Sequence, residues 1–304
     1  MTAVVINIVA AAVVPWLIIG LIAKTKAKWA GRKGAPLLQP LYDAVKLVRK
    51  GMVVSRSTTP IFAAAPAISL VAVCFAALTV PGPAGNSIVS FSGDLVLFAY
   101  LLALARFLGI IAALDTGSSF EGMGASREAF FSTLAEPGLF LILSSLLLAS
   151  GTDSLSGIGS HLAPRFDESG LLPFVAALGL YLMILVEGHR LPVDDPATHL
   201  ELTMIHEVMV LDNSGRDLSM ITYASGLKMY LFGALAANLL VPRTVTPAAH
   251  AGIFLGIFAV ITISVGLIES WVARLRMTHV PQFIFVLNIA GILLFFLALL
   301  GVKS

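Results

Sequence analysis

Residues 94–114 read DLVLFAYLLALARFLGIIAAL, and this stretch decides the fold. Apart from Asp94 and Arg106 it carries no charge, and its length matches the ~20 residues a helix needs to cross a bilayer. A strand needs only about half that length, and lipid offers no partner for an unpaired backbone. The segment therefore reads as a transmembrane helix with one arginine inside it. On insertion scales such a charge costs roughly 2.5–3.5 kcal/mol at mid-span. Arg106 is then either a counter-ion for a carboxylate on a proton path or a structural ion pair between helices. Asp115 lies nine residues on, half a turn out of phase, so the partner of Arg106 is expected on another helix.

Runs of the same kind lie at 3–23, 61–80, 130–149, 171–188, 219–241, 250–270 and 281–301. With 94–114 they predict an all-α, polytopic membrane protein of about eight spans, a single transmembrane domain over 1–304. Composition agrees: 58% of residues are hydrophobic and 12% charged, against roughly 25% charged in soluble domains. The first run has no basic segment before it and ends in Lys24, Lys26 and Lys28, the reverse of a signal peptide. If the first connection is cytoplasmic, Lys and Arg divide 15 inside against 3 outside. That sets both termini outside and a peripheral partner on the cytoplasmic face of the inner membrane. The net charge of +2 points to no nucleic-acid partner.

Two connections are more than tethers. Residues 36–50, PLLQPLYDAVKLVRK, place Leu37, Leu38, Leu41, Val45 and Val48 at three- and four-residue steps, the pattern of an amphipathic helix on the cytoplasmic interface. Residues 187–218 form the most polar stretch between spans. Asp195-Pro196 is a helix start, and a helix from 196 to about 211 would align His199, Thr203 and His206. Glu187 and Arg190 are three apart, within reach of each other on a helix.

Other carboxylates are candidates for proton coupling. Glu136 precedes Pro137 near the cytoplasmic end of the fourth span, where proline frees backbone carbonyls and opens space. His199, Glu201, His206 and Glu207 follow in series, and histidine and glutamate can relay protons near neutral pH. No metal site is expected: His199 and His206 are ~10.5 Å apart along a helix, and GMG at 122–124 reads as a loop without a dinucleotide fingerprint. The single cysteine, Cys74, cannot hold a cluster. The chain is thus expected to carry no cofactor of its own.

The run EGHRLPVDDPATHLE at 187–201 resembles the loop between the fifth and sixth helices of the complex I membrane subunit 1 family. That pattern, E-x-x-R-x-P-x-D-x-P-x-x-x-x-E, is met by Glu187, Arg190, Pro192, Asp194, Pro196 and Glu201. LLQPLYDAVKL at 37–47 resembles the family's amphipathic helix. DTGSSFEGMGASREAFFSTLAEP at 115–137 is closer to the formate hydrogenlyase subunit 4 and energy-converting hydrogenase branch. The resemblance covers essentially the whole chain. It implies a junction between a peripheral redox arm and antiporter-like membrane subunits. A nickel–iron centre and iron–sulfur clusters are then expected on hydrogenase-like large and small subunits and iron–sulfur subunits. Carried over by position, Glu136, Glu187, Arg190, Asp194, Glu201 and Glu207 are the coupling residues, with Arg106, Asp115, His199 and His206 beside them. Ala197 and His199 stand where acids usually stand, and the spacing to DNSG at 212–215 is longer. Both departures count against the quinone site that the complex I branch forms. A stand-alone transporter and a passive anchor are the readings from other classes.

Overall fold

A computed structural model describes residues 2–161, 171–195, 204–242 and 246–302. Eleven helices and no strand occur among them: α1 Thr2–Trp29, α2 Gln39–Arg49, α3 Pro60–Thr79, α4 Asp94–Asp115, α5 Ser119–Ser150, α6 Leu155–His161, α7 Leu171–Glu187, α8 His206–Met209, α9 Gly215–Leu240, α10 Pro247–Trp271 and α11 Val280–Val302. The eight apolar runs coincide with α1, α3, α4, α5, α7, α9, α10 and α11. Six of these are long and apolar enough to span a membrane. The other two are α7, an apolar helix of 17 residues, and the more polar α9. Large apolar side chains such as Phe75, Tyr100, Phe107, Val260, Ile289 and Phe296 face outward, more than half exposed. Water disfavours such a surface and hydrocarbon does not, and the chain is a multi-span membrane protein.

Helix α9 is the centre. It packs against α1, α3, α7 and α10, and α2 lies across its end. Its helical stripe of Leu227, Leu231, Ala234 and Asn238 is fully enclosed. Helix α11 runs along α5, where Gly138 and Gly291 meet. A Cβ on Gly291 would stand 3.2 Å from the Gly138 carbonyl, so the small residues set the approach of the two helices.

The amphipathic segment does form a helix, α2, but its apolar residues divide. Leu41 and Leu47 are half-buried and Ala44 is buried, while Val45 and Val48 are exposed beside Tyr42. One face rests on α1 and α9 and the other is left for the membrane. The fit is close, because a Cβ on Gly20 of α1 would clash with the Leu37 carbonyl.

Three expectations are corrected. Helix α5 begins at Ser119, not near residue 130, so the GMG at 122–124 is helical. Glu136 consequently lies mid-helix, not near an end. The helix expected over 196–211 is represented among the described residues by α8 alone; residues 196–203, with His199 and Glu201, lie outside them. Glycine costs roughly 1 kcal/mol in a helix, and here it admits a neighbour. A Cβ on Gly124 would clash with Val208 Cγ1 and stand 2.9 Å from the Ile205 carbonyl. Gly124→Ala should destabilise the fold by about 1–3 kcal/mol, read as a lower unfolding midpoint in detergent.

Pro137 sits within α5 without ending it. Its ring disturbs the preceding carbonyls, and Asn288 of α11 donates to the Leu134 carbonyl at 2.9 Å. A side chain from the neighbouring helix thus donates into the turn that precedes the proline.

Candidate ion-coupling site

Arg106 of α4 is the hub. Its side chain is 6% exposed and forks between two helices. Nη1 donates to Glu136 Oε1 of α5 at 2.6 Å, and Nη2 donates to Glu187 Oε1, the last residue of α7. Its Nε stands 3.9 Å from Glu128 Oε1, also on α5. Glu128 and Glu136 are eight residues apart, about two helical turns, which puts both on the face toward α4. The expectation that Arg106 pairs across helices is met. Asp115, at the far end of α4, does something else. It accepts from the backbone N–H groups of Thr59 and Phe62 and from the Thr59 hydroxyl, and so caps α3.

Lys228 of α9 completes the cluster. It faces a cavity of about 80 Å³ that Glu187 also lines, and it interacts electrostatically with Glu187 and Glu128. Sequence reading assigned Lys228 to a cytoplasmic connection; the structure places it within the bundle. Three carboxylates thus face two cations. With all groups ionised the cluster carries a net −1, so one bound proton makes it neutral.

Beyond α7 the chain turns sharply. Gly188 is followed by His189 at φ +50°, a left-handed conformation uncommon for a residue with a Cβ. The turn carries Arg190 away from Glu187, so the expected pair between them does not form. Arg190 Nη1 instead reaches Glu269 Oε1 of α10 at 3.4 Å, and Lys26 Nζ of α1 lies 2.9 Å from the other Glu269 oxygen. Asp194, 1% exposed, ties the loop together. It accepts from the N–H groups of Asp195, Ile205 and His206, and from Arg274 Nη2 at 2.9 Å. Burial raises its carboxyl above the ordinary range, opposed by the His206 N–H and the Arg274 charge.

His189 and His206 stack face to face, with ring centroids 4.2 Å apart and planes 7° from parallel. His189 Nδ1 is 3.8 Å from Glu128 Oε2. Burial, then the cations Lys228, Arg106 and Arg190, push His189 down to about 3. His206 is likewise held well below the ordinary range, by burial and then by His189. The native state therefore excludes protons that the unfolded chain binds near pH 6.5. The stability held by a neutral His189 is present above pH 6.5 and is lost as pH falls from 6.5 toward 3. The slope is about 1.4 kcal/mol per unit. Unfolding midpoints at pH 7 and pH 5.5 should differ accordingly, and His189→Gln should reduce the difference.

Both rings also line a second cavity of about 310 Å³, bounded by α1, α9, Arg190, Asp194, Glu207 and Glu269. A third cavity, about 180 Å³, reaches Arg106 and Glu136 from the outward side of α4 and α5, beside Tyr100 and Phe140. Of the residues expected at the site, Arg106, Glu136 and Glu187 come together. Arg190, Asp194, His206 and Glu207 gather around the larger cavity, and Asp115 stands apart. Glu128, His189, Lys228 and Glu269 escaped the sequence reading. Glu128 alone left a usable signal, its two-turn spacing from Glu136; the others needed the turn after α7 or packing of distant helices.

A family model described as NADH dehydrogenase matches residues 1–300, with the Arg106 cluster and the Glu187 loop inside the match. The chain belongs to the NADH dehydrogenase family. It is 30% identical over 226 residues to hydrogenase-4 component C of Escherichia coli (strain K12), covering 74% of this chain and 70% of that one. It is 28% identical over 274 residues to formate hydrogenlyase subunit 4 of the same strain, covering 88% of each. A subunit of the NADH-quinone oxidoreductase of Rickettsia prowazekii (strain Madrid E) is 29% identical over 175 residues, 57% of this chain and 51% of that protein. The fold of this NADH dehydrogenase family member is also found in a chain of the membrane-bound sulfane sulfur reductase, an archaeal respiratory membrane complex. That likeness has a TM-score of 0.81 at 19% identity and covers 97% of this chain and 98% of that one.

Proposed function

We propose that this chain is the membrane junction subunit of a respiratory-type, hydrogenase- or formate hydrogenlyase-like complex, where it couples electron transfer in a peripheral arm to ion translocation. The observation that carries the reading is the Arg106 hub, three carboxylates against two cations beneath a polar loop. Carboxylates that share cations in this way are coupled, so a change of charge nearby is felt by all of them. The chain's own residues supply binding and release of the proton. Electron transfer belongs to partners: hydrogenase-like large and small subunits with a nickel–iron centre, iron–sulfur subunits, and antiporter-like membrane subunits. The peripheral arm sits over the basic, cytoplasmic end, and both termini face outside. The relatives that cover most of this chain, hydrogenase-4 component C and formate hydrogenlyase subunit 4, support the hydrogenase branch.

The test is substitution in the complex purified with its partners and reconstituted in liposomes. Glu136→Gln, Glu187→Gln and Glu201→Gln should each lower coupled ion movement by roughly 10²-fold. Full turnover and full translocation in all three variants overturns the reading.

A second reading is a quinone site in the cavity bounded by α1, α9, Arg190 and Glu269, whose ~310 Å³ is the size of a small-ligand pocket. Inhibition by a quinone analogue would favour it.

A further inference from the structure

We propose that the stacked pair His189 and His206 is the passage by which protons leave the larger cavity for the Arg106 cluster, with Glu128 as the receiving carboxylate. This deepens the coupling function above and rests on it. The larger cavity is bounded by α1, α9 and the loop after α7; the smaller holds Glu187 and Lys228. His189 and His206 line both, so the imidazoles form part of the wall between them. An imidazole takes a proton on one ring nitrogen and releases one from the other, and a tautomer change or ring flip resets it for the next proton. A glutamine or a methionine there could not.

The geometry sets the direction and the limit of the relay. His189 Nδ1 faces Glu128 Oε2 at 3.8 Å, a gap that a small rotation or one bridging water closes. In the step proposed, hydronium or protonated water in the larger cavity gives a proton to the pair. His189 then passes a proton through Nδ1 to Glu128, and the imidazoles return to neutral. The parallel rings cannot hydrogen-bond to each other in plane, so transfer between them runs through water at their edges. At 4.2 Å two imidazoliums would repel strongly, so the pair carries one proton at a time.

The surroundings keep the pair empty at rest. Arg106 on α4, Lys228 on α9 and Arg190 in the loop disfavour the charged rings, while Glu128 on α5 favours a charged His206. Asp194 and Glu207 face the larger cavity. Both rings are held below the ordinary histidine range, by burial above all.

The experiment uses the assembled complex in liposomes, with assembly checked by copurification of its partners. His206→Ala should cut coupled proton movement by roughly 10²-fold, and millimolar imidazole, admitted to the enlarged cavity, should restore at least a tenth of the loss. A non-basic azole of similar size should not restore it. A purely packing role would be rescued by both or by neither, and either result overturns the proposal. Should His206→Ala fail to assemble, His206→Gln and His189→Asn keep side-chain volume and hydrogen bonding; loss of translocation with intact assembly supports the passage, and retention overturns it. If Glu187→Gln uncouples while both histidine variants pump normally, the junction function stands and the passage falls. If Glu187→Gln and the histidine variants all pump normally, both fall.

Discussion

Arg106→Met should be the most damaging single change in this protein, costing about 3–5 kcal/mol, the usual cost of removing one partner from a buried ion cluster. The loss is electrostatic, since methionine fills much of the same space. Glu136, Glu187 and Glu128 would face one another with Lys228 alone to oppose them. The like charges would repel, and α4, α5 and α7 would lose their common tie. Arg106→Lys should not rescue it. The guanidinium donates to Glu136 and Glu187 through different nitrogens, and an ammonium cannot span both. The checks are the unfolding midpoint in detergent and the yield of assembled complex; near-normal values for both variants would show the cluster is not a structural hub.

Asp194→Ala should rank second, also at about 3–5 kcal/mol, because it orphans a charge and several backbone donors together. Asp194 receives the N–H groups of Ile205 and His206, 11 and 12 residues on, and pairs with Arg274 from the segment after α10. Without it, residues 204–206 lose their anchor and His206 leaves its stack on His189. Asp194→Asn retains one acceptor oxygen but not the charge, so it should cost about half as much. Protease sensitivity of the 187–214 segment, measured alongside ion translocation, reads both consequences. An Asp194→Ala protein as protease-resistant as the parent would contradict this account.

These two residues differ in how much of their role was visible beforehand. Arg106 announced itself, because a charge in the middle of an apolar run must have a partner, and its phase against Asp115 sent that partner to another helix. Which carboxylates it meets was not legible. Glu187 and Arg190 sit at a spacing that invites pairing on a helix, yet Gly188 and the left-handed His189 end the helix between them. Asp194 stood out by its place in a motif, while the backbone groups it serves lie a dozen residues on.

The early start of α5 has a similar cause. Glycines and polar residues at 119–128 argue for a loop when read alone. Packed against α8, Gly124 gives room for a close neighbour, and Glu121 accepts from the Asp212 N–H. Tertiary contact overrode the local signal.

The order and type of the spans follow from the chain alone. Long apolar runs have one solution in lipid, a helix that satisfies its own hydrogen bonds, and α2 is likewise written in its periodicity. Tertiary structure decided what those helices bring together: Glu128 and Glu136 with Glu187 around Arg106, Lys228 inward, Glu269 between Lys26 and Arg190, and His189 stacked on His206. Apolar length is a local property of consecutive residues. Charge pairing depends on distances between helices far apart in sequence, and only packing sets those.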